Sequence, residues 1–221
     1  MTTFALIGAG PGLGLATARR FGAAGHSVAL IARNTQRLED LTAELARDGI
    51  ETRGFAADVL DIESLTGALY AAGTSLGTVE ILQYSPVPRA DFMKPVLDTG
   101  ADDLDAPLGF SVKGPVTAVN AVLPGMRVLG RGTLLFVNGS SAVRPNPNVA
   151  GTSVAFAAES AYARMLHDTL APQNIHVAQL IVPGAIRPDA EHSSPDALAR
   201  RLYDIHTGRD GFRHYSEPLP D

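Results

Sequence analysis

The stretch Phe4-Ala-Leu-Ile-Gly-Ala-Gly-Pro-Gly-Leu-Gly-Leu-Ala-Thr-Ala18 decides how the rest of the chain is read. Phe4 to Ile7 is a short apolar run of the kind that fills a strand buried on both faces. The run breaks at Gly8, Gly10, Gly12 and Gly14. Apolar residues then resume at Leu13, Ala16 and Phe21 with helical spacing. Glycines permit positive φ in the turn and let backbone amides approach an anion closely. Pro11 fixes φ and gives up a donor where the loop meets the helix. The helix presents its partially positive end to the same point. Strand, glycine turn and helix in this order form a cradle for a dinucleotide's pyrophosphate.

The chain has 221 residues, 45% of them apolar, enough for one domain with a full core over 1–221. Eighteen basic and 23 acidic residues give a net charge of −5, and the basic ones form no run. That balance argues against nucleic acid or an anionic membrane as partner. There is no cysteine, so disulfides and thiolate metal sites are excluded. The six histidines show no metal-ligand spacing, and no metal is expected. The start lacks a basic segment followed by an apolar one, and no apolar run reaches membrane length. A cytoplasmic protein is the expectation.

Further along, residues 27–32, 51–57, 79–82, 133–137 and 175–182 read as buried strands. Leu38, Leu41 and Leu45 place a helix in 35–48, and Ile62, Leu65, Leu69 and Leu76 place another in the next interval. The segment 87–108, interrupted by prolines, reads as loop and broken helix. Helices follow over 116–128 and 152–170. Ser194 caps a last helix with Pro195 at its first position and Gly208 at its end. Residues 209–221 read as a loosely attached tail. Alternating strands and helices with short links require an α/β fold: a doubly wound, Rossmann-like parallel sheet with helices on both faces.

These stretches together resemble the short-chain dehydrogenase/reductase family over nearly the whole length. Gly8, Gly12 and Gly14 match its glycine spacing. Asp58-Val59 resembles its adenine-contacting pair, Ala121-Val-Leu-Pro-Gly-Met126 its central-helix signature, Leu170 to Val177 the approach to its sixth strand, and Pro183-Gly184-Ala-Ile186 its nicotinamide-side loop. The resemblance implies carbonyl/alcohol oxidoreduction by hydride transfer. It places the cofactor against Gly8, Gly10, Pro11, Gly12, Leu13, Gly14, Arg33, Asn34, Asp58, Val59, Tyr84, Ser85, Pro86, Pro183, Gly184 and Ile186, with Tyr84 packing on it. An NAD enzyme places an acid at the end of the second strand. Here that position is Arg33, followed by Asn34, with Arg37 one turn on. A guanidinium matches a 2′-phosphate in charge and fork geometry, so NADP(H) is preferred over NAD(H).

The family's reaction uses a serine, a tyrosine about a dozen residues later, a lysine four residues after that, and a supporting asparagine. Asn138-Gly-Ser-Ser-Ala142 places the serine at Ser141. Counting forward puts the tyrosine position at Val154 and the lysine position at Ala158, while the asparagine position falls at Ser111. None of these three can do the family's work, so the usual mechanism is not available. Tyr162, one turn past Ala158, is the candidate replacement acid. Residues 185–195 read as a lid. Three functions remain open: an atypical oxidoreductase, a non-catalytic NADP(H)-binding sensor or partner subunit, and a non-redox lyase or isomerase in the same cleft. The resemblance also implies a homodimer or homotetramer. Ala155, Ala157, Ala158, Ala161 and Ala163 give one interface helix a smooth surface.

Overall fold

In β1 (Thr3–Ile7) every residue is buried, with Phe4 and Leu6 packing on one face and Ala5 and Ile7 on the other. Burial on both faces is what a central parallel strand requires. The computed structural model describes residues 2–219. Within them β1 joins β2 (Ser27–Ala32), β3 (Thr52–Ala56), β4 (Val79–Tyr84), β5 (Gly132–Gly139), β6 (Ile175–Val182) and β7 (Arg213–Tyr215). All pair in parallel, in the order β3-β2-β1-β4-β5-β6-β7.

The helices are α1 (Leu13–Gly22), α2 (Thr35–Arg47), α3 (Ile62–Leu76), α4 (Asp105–Leu108), α5 (Gly114–Leu129), α6 (Ala150–Leu170) and α7 (Pro195–Gly208). Phe21 of α1, Leu38, Leu41 and Leu45 of α2, and Leu198, Leu202 and Ile205 of α7 cover the face carrying Phe4 and Leu6. Phe4 stacks on Phe21 with centroids 4.3 Å apart. Leu65, Leu69, Val119, Val122, Met126 and Ala163 of α3, α5 and α6 cover the opposite face. Side chains cap three helix starts, and of these caps Ser194 is the one the sequence reading names. Asn34 Oδ1 accepts from Arg37 N at 2.9 Å and Asp61 Oδ1 from Ser64 N at 3.0 Å. Ser194 Oγ accepts from Ala197 N at 3.4 Å.

Between β4 and α5 the chain forms three short 3-10 turns, α4 and a π-turn at Gly109–Lys113. Prolines at 86, 88 and 95 break up the first part of this stretch, whereas Pro107 sits in α4, which runs on through the π-turn into α5. No helix among the described residues is long and apolar enough to cross a membrane.

The tail differs from its expected looseness. Phe212 is buried, and β7 adds a seventh strand beside β6. Arg213 Nε donates to Gln179 Oε1 at 3.1 Å and its Nη2 to Ser160 Oγ at 2.7 Å. Arg-His-Tyr carries no alternating apolar signal, so backbone pairing and one guanidinium hold a strand that periodicity could not show. Pro220 and Asp221, at the end of that expected tail, lie outside the described residues, as does Met1.

Candidate functional site

Strand order reverses between β1 and β4, and a crevice opens at such a switch point outside the carboxyl ends of the strands. Its volume is about 1280 Å³. Its floor runs from Arg33 and Asn34 after β2, through Gly8–Gly14 after β1 and Ser85–Pro86 after β4, to Asn138–Ser141 on β5 and Val182 and Gly184 at β6.

At the β1 end the glycines have distinct duties. Gly8 has φ +94°, and a Cβ there would stand 2.5 Å from Pro86 Cα. Only glycine lets the loop lie this close to the β4 end. A Cβ on Gly12 would meet no protein atom within 4 Å, so the space it leaves free belongs to the crevice. Gly12 is also the N-cap of α1 and brings no side chain to its first amides. An open cradle before an uncapped helix start fits a pyrophosphate.

Arg33 and Arg37 are the only charged side chains lining the crevice among the described residues. Arg33 Nη1 stands 3.9 Å from Asp58 Oδ2, with the two side chains 61% and 38% exposed. So loose a surface pair is worth about 0–1 kcal/mol and leaves the guanidinium available to a phosphate. Asp58 itself does not line the crevice: its Oδ1 accepts from Leu60 N at 3.0 Å, and Val59 faces the crevice instead. Asn34 lines it while its side chain caps α2.

Tyr84 is not a cofactor platform. Its ring is buried beneath α5, its hydroxyl donates to Phe110 O, and it takes the space that a side chain at Gly114 would need. Burial holds its phenol well above the usual range. Ser85 and Pro86 do line the crevice, as do Gly184 and Ile186 on the far side. Pro183 lies behind that wall, buried.

At the β5 end Ser140 and Ser141 line the crevice together with Asn138. The α6 positions expected by counting do not. Val154 is 47% exposed, on the opposite side of the helix, and the residues facing the crevice are Thr152 and Phe156. The start of α6 is fixed by contacts that counting cannot see. Ala150 N donates to Lys94 O at 2.9 Å, and Ser153 Oγ donates to Asn146 O and accepts from Asn146 N, both at 3.1 Å. A two-residue error in that loop turns a helix by about 200°, enough to exchange its faces. Phe156 and Ser160 keep the four-residue spacing of the expected tyrosine and lysine. Ser160 is turned inward, donating to Gln179 Oε1 at 2.9 Å. Tyr162 packs against the core between sheet and helices and does not line the crevice.

Behind this wall lies a polar network absent from the sequence expectations. Asn138 Nδ2 donates to Glu159 Oε1 at 3.1 Å, and Gln179 Nε2 to Asn138 Oδ1 at 2.8 Å. Ser111, in the π-turn, bonds the same carboxyl. Glu159 is fully enclosed, and burial pushes its carboxyl up to about 8 against the pull of those two donors. It is therefore a neutral acid at pH 7. Among the described residues no three histidine, aspartate or glutamate side chains gather as a metal site.

The family model for short chain dehydrogenases matches residues 2–199. The chain belongs to the short-chain dehydrogenase family. Its relatives include the human dehydrogenase/reductase SDR family member 4, 28% identical over 80% of this chain and 63% of that protein. The short-chain reductase NovJ of Streptomyces niveus is 30% identical over 89% of this chain and 72% of its own length. The chain thus spans less than two thirds of the human relative. A short-chain oxidoreductase from Pseudomonas aeruginosa PAO1 containing an atypical catalytic center, solved with NADPH bound, superposes with a TM-score of 0.85 at 20% identity. That match covers 100% of this chain and 97% of the other, and shows that the short-chain dehydrogenase fold is shared.

Proposed function

We propose that this short-chain dehydrogenase binds NADP(H) in preference to NAD(H) and exchanges hydride with a carbonyl or alcohol without the family's tyrosine–lysine pair. The observation that carries the reading is the open glycine cradle with Arg33 and Arg37 as the only charged side chains lining the crevice among the described residues. The Pseudomonas oxidoreductase, with bound NADPH and an atypical center, supports it by analogy of fold. A bound nicotinamide supplies or accepts the hydride. The backbone of Gly12 to Gly14 and the start of α1 hold the pyrophosphate, and Arg33 engages the 2′-phosphate. Ser140, Ser141 and Thr152 orient the carbonyl oxygen. Phe156 brings no proton, so the proton comes from water in the open crevice. A missing general acid costs about 10²–10⁴-fold in rate, which makes a slow enzyme the expectation.

A second reading, a sensor or partner subunit that binds NADP(H) without turnover, is favoured by Phe156 and by the lack of a carboxylate, histidine, tyrosine or lysine in the crevice lining among the described residues. NADPH consumption over a panel of ketones separates the two. Oxidation that depends on ketone and saturates supports the enzyme, and its absence despite tight NADPH binding supports the sensor.

We further propose a homodimer or homotetramer through α5 and α6, where Val128, Val154 and Met165 expose apolar surface. Light scattering tests this, and a monomeric mass contradicts it.

A further inference from the structure

The carboxyl of Glu159 stands between two walls of the crevice. The residue is 1% exposed, and its side-chain partners among the described residues are both neutral. Asn138 of β5 donates to it from Nδ2 at 3.1 Å, and the Ser111 hydroxyl meets it from the π-turn. Asn138 lines the crevice, and so does Phe110, the residue before Ser111. One side chain of α6 thus ties the β5 wall to the π-turn wall. Single π-turns within helical runs occur frequently at functional sites, and this one interrupts the run from α4 to α5. It is pinned from the sheet as well, where the Tyr84 hydroxyl donates to Phe110 O.

Among the described residues no cation pairs with this carboxyl. On the turns and short helices packed against α6, Lys113, Asp91, Asp102 and Asp105 face water, and Lys94 is taken by Asp103 at 2.6 Å. Arg213 of β7 is spent on Gln179 and Ser160, and His176 of β6 has Arg209 and other histidines as charged neighbours. Within α6, Arg164 pairs with Asp168, and the His167 ring is bonded to Val177 O at 2.7 Å. Tyr84 is the titratable group that feels the charge of Glu159, with Asp58 beyond it, and burial keeps its phenol protonated. A carboxyl so enclosed holds its proton at pH 7, in keeping with its rise to about 8. Losing that proton leaves a buried charge that two neutral donors do not offset. The strand β5 is locked between β4 and β6, so the π-turn is the wall that gives way.

We propose that Glu159 is a positioning residue that latches the π-turn to β5 only while protonated, so that alkaline pH opens this wall of the crevice and weakens nucleotide binding. The chemistry is the release of one proton to water. The proposal rests on the nucleotide reading above and adds its regulation.

The test has one arm without nucleotide and one with it. In the first, hydrogen exchange of residues 109–113 is compared with that of α2 in the same protein at pH 7 and pH 9, corrected for intrinsic rates. The turn is expected to exchange about tenfold faster relative to α2 at pH 9, as the protonated fraction of a group titrating at about 8 falls. In the second, the NADPH dissociation constant is expected to rise about tenfold over the same interval. Glu159→Gln, neutral at every pH, is expected to match the parent at pH 7 and to lose both changes. Unaltered protection of 109–113 at pH 9 overturns the proposal and requires no variant to fold. A Gln variant that keeps the parent's pH dependence overturns it too. Failure of NADPH to bind at pH 7 strikes the nucleotide reading instead, and the exchange arm still decides the latch.

Discussion

The two ends of the crevice are built by different means. At the β1–β2 end the working groups are backbone amides, a helix terminus and two arginines next to a strand end. At the β5–α6 end they are side chains whose direction depends on the rotation of α6. The first kind of site is fixed by residue type and spacing over a dozen residues, and it matches its expected place from Gly8 to Arg33. The second depends on how a loop of unspecified path delivers a helix, and there Val154 gives way to Phe156. Backbone-built binding survives in sequence as a motif, whereas side-chain chemistry survives only as a phase.

The most severe way to break the β1 end is Gly8→Val. A side chain at φ +94° meets Pro86, and strain plus overpacking is expected to cost roughly 3 kcal/mol while abolishing NADPH binding. Thermal unfolding and a nucleotide titration read both effects. At the other end, Phe156→Tyr returns a phenol to the crevice wall. Ketone reduction is expected to rise by up to about 10²-fold, the lower range for a positioned general acid, while Val154→Tyr changes nothing. A gain from the Val154 variant would show that the assignment of the α6 faces is wrong.

The smallest effect sharpens the contrast through pH. Glu159 titrates near 8 in the fold against an ordinary value of 4.5, so its contribution is complete below 4.5 and is lost as pH rises through about 8. His176 on β6 and His206 on α7 are lowered by burial to about 4. Their contribution is complete above 6.5 and is lost as pH falls towards 4. From these three groups stability peaks near pH 6.5. Glu159→Gln is expected to remove the decline between pH 6.5 and 8 and to steepen the rise between 4.5 and 6.5, where Glu159 opposes the two histidines, read as unfolding temperature against pH.

The fold was legible because its signals are local: apolar runs, glycines at turns, and the cap at Ser194. Most of the crevice lining at the β1–β2 end was legible for the same reason. Two of the residues expected in that lining lie outside it. Tyr84 ends a strand buried at every position, and the alternation of side chains between faces sends it to the α3–α5 side while Ser85 takes the crevice. Asp58 spends its carboxylate on its own turn at Leu60. Thr152, Phe156 and the Glu159 network depend on where α6 starts, and that is fixed in part by Lys94 O reaching Ala150 N from a distant part of the chain, a contact no window of sequence contains. β7 was missed because three polar residues bear no period.

The most direct measurement is calorimetric titration of the protein and of Arg33→Asp with NADPH and with NADH. NADPH is expected to bind the unaltered protein at least about tenfold tighter than NADH, an advantage of at least about 1.4 kcal/mol that the substitution removes. Equal binding of the two nucleotides would contradict the assignment of Arg33 to a 2′-phosphate. No binding of either would mean that the glycine cradle no longer holds a dinucleotide, and the hydride chemistry proposed for the other end would fall with it.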